Sequence, residues 1–419
     1  MKGDSQEILS RLVSIPSVNP MGGPGLGAEF GEARLTDWLQ EQFQRSGLAC
    51  QRQTVAPGRD NLLARLDGKT PPEEGCPLLL FDAHQDTVPV DGMTIEPWTP
   101  SLREGRLYGR GSCDVKGGMA AMIAALLRLA GEPSSSRPTI VMSCTVNEEY
   151  GFSGIAALVG RIANPSANEA DLRDGLPIRP TGKATPIPPP LLSRRPDVAV
   201  VAEPTSLDVV VAHKGVARWR LHTRGRAAHS SRPQSGDNAI YRMARVVLEL
   251  ERYQQELDAG PVHPLCGPAS LSVGTIRGGA SVNTVPDRAT IEIDRRLRPD
   301  ESLATAQQHL ADYLAGQLGK AFPLEWEPPY MHGPALSDQH NGPLSQRLAA
   351  AAREVSGRSE RIGAAYATNA AFLAAAGVPT VVFGPGSIQQ AHTADEWIAL
   401  DQVQQAAEIL YRFARHAAG

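Results

Sequence analysis

A chain of 419 residues with 21% charged residues and a formal net charge of −4 holds enough material for two or three domains. It gives no electrostatic reason to expect nucleic acid or an anionic membrane as partner. No apolar run approaches the roughly 20 residues of a membrane span, Met1–Glu7 lacks the apolar stretch of a secretory signal, and Cys50, Cys76, Cys113, Cys144 and Cys266 form neither a paired framework nor a C-x-x-C motif, so the expected address is the cytoplasm.

In chain order, nearly continuous apolar runs at Pro77–Phe81, Thr139–Thr145, Val198–Ala202 and Val378–Phe383 read as strands buried on both faces of a largely parallel sheet. Helical patterns at Gly118–Leu129 and Ala367–Ala376 lie between them, and the order indicates an α/β sandwich. The stretch Arg161–Pro196, rich in Pro, Asn, Ser and Arg, has no periodicity and reads as a surface excursion. The middle of the chain differs. Val216–Thr223 alternates apolar and polar, a long helix is expected at Asn238–Leu257, and strands at Ser270–Arg277 and Thr290–Leu297. A helix at Leu303–Leu318 and a strand at Leu324–Trp326 complete a β-α-β-β-α-β, ferredoxin-like order. The expected domains are therefore 1–213 and 330–419 for the α/β part, with 214–329 inserted as an α+β domain.

The acids and imidazoles follow the buried strands. His84 and Asp86 follow the first run, Asp114 precedes a helix, Glu148 and Glu149 follow the second run, and Glu203 follows the third. His392 stands shortly after the last. In open α/β sheets ligands collect at the carboxyl ends of strands, so five distant segments deliver these groups to one edge. Singly, each has a plainer reading: Asp114 as a helix cap, Glu148-Glu149 as an acidic first turn, His392 as a surface histidine. Jointly they point to a metal centre. Two divalent cations bring four positive charges, which Asp114, Glu149, Glu203 and a bridging hydroxide would balance. Nitrogen and carboxylate donors without thiolate suit Zn²⁺, with Co²⁺ or Mn²⁺ as alternatives. Asp86 is then expected to accept the second N–H of His84, and Glu148 to be the proton shuttle.

The segments H-Q-D-T-V-P (84–89), G-R-L-Y-G-R-G-S-C-D-V-K-G-G (105–118), N-E-E-Y-G-F-S-G (147–154), A-E-P-T (202–205) and G-P-G-S-I-Q-Q-A-H-T-A-D-E-W (384–397) carry a resemblance. The chain resembles the metallopeptidase family of acetylornithine deacetylase, succinyl-diaminopimelate desuccinylase, aminoacylase and carboxypeptidase G. The resemblance implies that Asp114 bridges two metals, with His84 and Glu203 on one and Glu149 and His392 on the other. It implies Glu148 as general base and a cis peptide at Asp114-Val115. The insert resembles the family's lid and dimer interface, so a homodimer through it is implied. By the same resemblance A-A-H-S-S-R-P (227–233) nominates His229 to reach the partner subunit's active site and polarise the scissile carbonyl, and S-V-N-T-V-P (281–286) and D-R-R-L-R-P (294–299) nominate Asn283 and Arg296 for substrate. Strand alternation independently puts Glu292, Asp294 and Arg296 on one polar face, where Arg296 either binds a carboxylate or simply pairs with an acid. Thr368, Gly384 and Gly386 are further substrate-site candidates by resemblance. Asn369 stands where relatives carry an acid, which removes a charge expected to greet a cationic substrate. The implied substrate is an N-acyl amino acid or short peptide, with acetylornithine deacetylase-like chemistry first and desuccinylase, dipeptidase or carboxypeptidase chemistry as alternatives.

Overall fold

The computed structural model describes residues 4–25, 27–134, 137–163, 191–192 and 194–416. Most of the expected excursion, 164–190 and residue 193, lies outside the described residues. Its first residues are helical, since the helix Ser153–Ala163 continues through Arg161. The chain forms two compact units, one of Met1–Val211, Asp338–Ile362 and Thr368–Gly419, the other of Ala212–Ser337 and Gly363–Ala367.

The first unit is built on an eight-stranded sheet in the order Ala49–Ala56, Arg59–Leu66, Thr139–Thr145, Leu78–His84, Val198–Val201, Thr380–Val382, Val209–His213, Arg361–Ala364. The last two strands are where the chain crosses between units. Parallel pairing occupies the centre of the sheet, and antiparallel pairing flanks it. Every residue of Leu78–His84 and of Thr139–Thr145 is buried, so both faces are covered. This is why these strands read as unbroken apolar runs. The helix Gly117–Ala130 is apolar but for the exposed Arg128 in its last turn and is otherwise largely buried, packed between Ser5–Val13 and Leu400–His416. Two glycines at its start allow that. A Cβ on Gly118 would sit 2.9 Å from the Ala202 Cβ, and one on Gly117 would sit 2.4 Å from Ile398 Cδ1.

The register of the central strands levels their carboxyl ends. His84 lies opposite Thr145, and Val201 lies opposite both Asp82 and Val382. The four parallel strands therefore end nearly together, and their following loops share one edge. A separate three-stranded sheet, Ser101–Arg103, Arg106–Tyr108 and Trp397–Ala399, ties the loop after Tyr108 to the loop before Trp397.

The second unit has the strands Gly215–Arg224, Ser270–Gly278, Arg288–Leu297 and Leu324–Trp326, and the helices Ala239–Ala259 and Leu303–Leu318. The sheet order is second, third, first, fourth, all antiparallel, which is the ferredoxin-like arrangement. Alternation sorts the strands: Ala217, Trp219, Leu221, Ile291 and Ile293 face a core with Met243, Leu250, Tyr253 and Leu310. Both helices start on side-chain caps, Asn238 accepting from the Ile240 and Tyr241 amides and Ser302 from the Thr305 amide. The unit runs past 329 because Met331–Gly333 pairs with Val216–Arg218. It also takes in Gly363–Ala367, where Ala364 accepts the Lys214 amide at 3.1 Å.

Candidate metal centre

Two triads of ligand atoms gather at the shared edge of the first unit: His84, Asp114 and Glu203, and Asp114, Glu149 and His392. Asp114 belongs to both. Each segment arrives for a local reason. His84 ends a strand, Glu203 follows one by two residues, and Glu149 follows Thr145 through a turn in which Asn147 has φ 62°. Asp114 lies in a kinked stretch just before the buried helix, its peptide to Val115 cis.

The spacing fits metal ligation. Donors at about 2.0–2.1 Å from a tetrahedral ion lie roughly 3.3 Å apart. His392 Nε2 is 3.3 Å from both Asp114 Oδ2 and Glu149 Oε2, and His84 Nε2 is 3.1 Å from Asp114 Oδ1. Glu149 Oε1 is buried with no hydrogen-bond partner among the described residues. A buried, unpaired carboxylate oxygen is costly unless something else meets it. The residues present therefore fit two cations.

The electrostatics say the same. Burial pushes the Glu203 and Glu148 carboxyls well above the usual range, and Asp114 adds to both. Burial and Asp114 carry Glu149 up to about 7. Burial alone would lower His84, but its hydrogen bond to Asp114 and the surrounding carboxylates hold it well above its ordinary value. Hydrogen bonds to Asp114 and Glu149 push His392 up to about 11. Carboxylates this crowded hold protons unless cations replace them.

Asp86 acts differently from the role its place after His84 suggested. The ring of His84 is oriented by the Asp86 backbone carbonyl, which accepts Nδ1–H at 2.9 Å, while the Asp86 carboxylate stands 3.7 Å away. That carboxylate instead accepts the amides of Glu148 (3.1 Å) and Glu149 (3.0 Å). Asn19, which no sequence motif nominates, donates to Asp86 at 2.7 Å and to Asn147 at 3.0 Å. Behind them Arg59 links Asn147 to the buried Glu32. Glu148 itself is buried and belongs to neither triad.

Four expectations change on contact with the structure. Thr368 is 1% exposed and its hydroxyl accepts the Ala370 amide at 3.1 Å, so it starts a short helix instead of facing a ligand. Asn369 is 1% exposed and donates to Asp82 and Thr145, each at 2.9 Å. The carboxyl missing at Asn369 is thus present beside it as Asp82, inside the core. The amides of Gly384 and Gly386 are taken by Thr205 Oγ1 (3.0 Å) and Gln402 Oε1 (2.9 Å), which leaves neither to bind a substrate carboxylate. A Cβ on Gly384 would sit 2.6 Å from the Glu203 carbonyl, so this glycine allows the Glu203 loop to approach.

In the second unit His229 is exposed, bridged to Thr284 beside Asn283, and its Nδ1 accepts the Ser231 amide at 3.2 Å. In a neutral ring the proton then sits on Nε2. Arg296 is held by Asp294, with Nε–Oδ1 at 2.7 Å and Nη2–Oδ2 at 3.2 Å. Of the two readings of that polar strand face, the ion pair is the one formed.

The sequence pattern of peptidase family M20/M25/M40 matches residues 80–416. The acetylornithine deacetylase of Proteus mirabilis is 28% identical, over 96% of this chain and 94% of that protein. An M20 family metallo-carboxypeptidase from Sulfolobus solfataricus superposes with TM-score 0.74 at 16% identity, covering 98% of each chain. A di-peptidase from Saccharomyces cerevisiae gives 0.73 at 14% identity, over 99% of this chain and 95% of that one. With a matched pattern that spans every segment of the two triads, the chain belongs to peptidase family M20/M25/M40, metal-dependent hydrolases of amide and peptide bonds.

Proposed function

We propose that the chain hydrolyses the amide bond of N-acyl amino acids, with acetylornithine deacetylase-like substrates first. The carrying observation is a buried acid, Glu148, outside both ligand triads and next to a ligand of one of them. His84 and Glu203 would hold one divalent ion and Glu149 and His392 the other, with Asp114 between, Zn²⁺ being the first choice by donor type. Such ions, when bound, lower the pKa of a water and polarise a carbonyl. Glu148 takes the proton of the attacking water and returns it to the leaving amine. Asp86 holds the Glu148 and Glu149 amides, so base and ligand keep their separation. His229, which this reading brings to the site from the other protomer, donates its Nε2–H to the developing oxyanion. Asn283 and Arg296 are assigned to the substrate's carboxylate, which on Arg296 has to displace Asp294.

Glu148→Gln is expected to keep its metals and lose turnover about a thousandfold. A variant that hydrolyses at the wild-type rate would sink the assignment. N-acetyl-ornithine, N-succinyl-diaminopimelate and simple dipeptides, each with and without chelator, separate the deacylase reading from the peptidase reading that the family description favours. If none is cleaved by metal-replete protein, the substrate class is wrong.

A homodimer through the inserted unit belongs to the same reading. Its support is the open edge strand Ser270–Gly278 and the exposed Tyr241, Leu248 and Ile276. Sedimentation equilibrium showing only monomer would overturn it. A cytoplasmic address is supported by the five free cysteines, and no helix among the described residues is long and apolar enough to cross a membrane.

A further inference from the structure

The loop that carries His392 also carries an acid that is neither ligand nor base. Glu396 is fully buried. Its Oε1 accepts the amides of Cys113 (2.9 Å) and Asp114 (3.0 Å), and its Oε2 accepts the Gly111 amide (3.0 Å) and Arg110 Nη1 (2.7 Å). Its own backbone carbonyl accepts the Gly109 amide at 3.0 Å. The strand just after it, Trp397–Ala399, pairs with Arg106–Tyr108, the strand that leads into this loop. One carboxylate thus grips the peptide of the residue common to both triads from a point four residues after His392.

We propose that Glu396 is a positioning residue for the metal centre, fixing Asp114 against His392 so that their donor atoms stay within reach of a common ion. The proposal rests on the two-triad reading of the ligands. The chemistry calls for a carboxylate and nothing else. Four donors converge on it, two to each oxygen, and three of them are backbone amides that cannot turn away. A glutamine offers one acceptor oxygen and sets an NH₂ group against two of those donors. The Asp114 loop then has to move, or two buried donors lose their partner. Partners of metal ligands that hold orientation in this way affect affinity by ten- to a hundredfold when removed.

The test compares wild type, Glu396→Gln, Glu396→Asp and Leu348→Ala, the last a buried core change in the same unit and outside the ligand set. Each protein is stripped of metal, its fold checked by circular dichroism, and its affinity for Zn²⁺ read by competition with a chromophoric chelator. The cobalt-loaded absorption spectrum reports ligand geometry. Glu396→Gln is expected to weaken at least one Zn²⁺ ion ten- to a hundredfold and to alter the cobalt spectrum. Glu396→Asp, with the charge kept but the reach shortened, should fall between. Leu348→Ala should keep both affinities despite lower stability. Should Glu396→Gln not fold, Glu396→Asp carries the test, and wild-type affinity in it overturns the proposal. So does a loss of affinity in Leu348→Ala as large as that in the Glu396 variants. Wild-type protein that binds no Zn²⁺ overturns the metal centre and this proposal together, whereas two ions held by Glu396→Gln at wild-type affinity overturn only the role of Glu396.

Discussion

Asn19, a neutral side chain, braces the turn that carries the proposed base, Glu148. Its amide donates to both Asp86 and Asn147, and its own Oδ1 accepts the Met21 amide at 2.8 Å. Asn19→Ala should cost about 1–3 kcal/mol in urea unfolding, since buried acceptors lose a donor. It should also lower kcat, because Asp86 then holds the Glu148-Glu149 turn less firmly. Unchanged kcat beside lowered stability would reduce Asn19 to a brace of the fold. Asn369→Asp makes a separate prediction. It would set a second carboxyl 2.9 Å from Asp82 in a site where burial already pushes Asp82 above the usual range. One of the two must stay protonated. The expected outcome is lower stability at neutral pH with the order of substrate preference unchanged; a shift toward cationic substrates would return Asn369 to the pocket wall.

At the scale of elements, the helix Ser153–Ala163 starts pressed against the end of the strand that leads to Glu148 and Glu149. The Gly154 amide donates to the Val146 carbonyl at 3.1 Å, and Asn61 clamps both, accepting the Val146 amide and donating to the Gly154 carbonyl. A Cβ at Gly154 would lie 2.2 Å from the Val146 carbonyl oxygen. Gly154→Ala should therefore destabilise by about 1–3 kcal/mol or more, and a thermal midpoint equal to wild type would refute the close approach. Elements like these differ in how well the sequence announces them. The strands ending at His84 and Thr145 are legible because burial on both faces demands unbroken apolar runs. The hairpin Ala49–Ala56 and Arg59–Leu66 is not, because its outer strand carries Gln51, Arg52 and Gln53, although Pro57-Gly58 marks its turn, with Gly58 at φ 72°. Most of the candidate ligands are legible for a similar reason, since they come at or shortly after the ends of strands. Asn19 and Glu396 are not, because a side chain that accepts from or donates to distant groups leaves no period in the sequence. Thr368, Gly384 and Gly386 show the converse: a place in a motif does not mean a place in a pocket, and their polar groups are already spent within the fold.

For the whole molecule, the crossings between units carry a titratable group. His213 is fully buried, its Nδ1–H donated to the Lys214 carbonyl at 2.9 Å, and burial lowers it to about 4. The folded value lies below the unfolded one of about 6.5, so its contribution is whole above that pH. It is lost as pH falls through the folded value, up to roughly 3 kcal/mol over the window. The stability gap between wild type and His213→Gln should thus shrink from pH 7 to pH 4.5 in urea titrations. A gap that stays constant would rule the histidine out. Metal should act on the same scale, each ion at a hundredfold its Kd adding about 2.7 kcal/mol, so chelator should lower the thermal midpoint.

The division of the chain has one more consequence. The smaller unit leaves the larger one twice, at Ala212–Ser337 and again at Gly363–Ala367, and the second excursion feeds the first through the Ala364 carbonyl and the Lys214 amide. A graft of residues 212–337 between relatives is therefore not a clean cassette exchange. The recipient keeps its own five-residue patch, and that patch has to match an incoming backbone it never folded with. Recombinants that also carry 363–367 should express and fold better than those that do not.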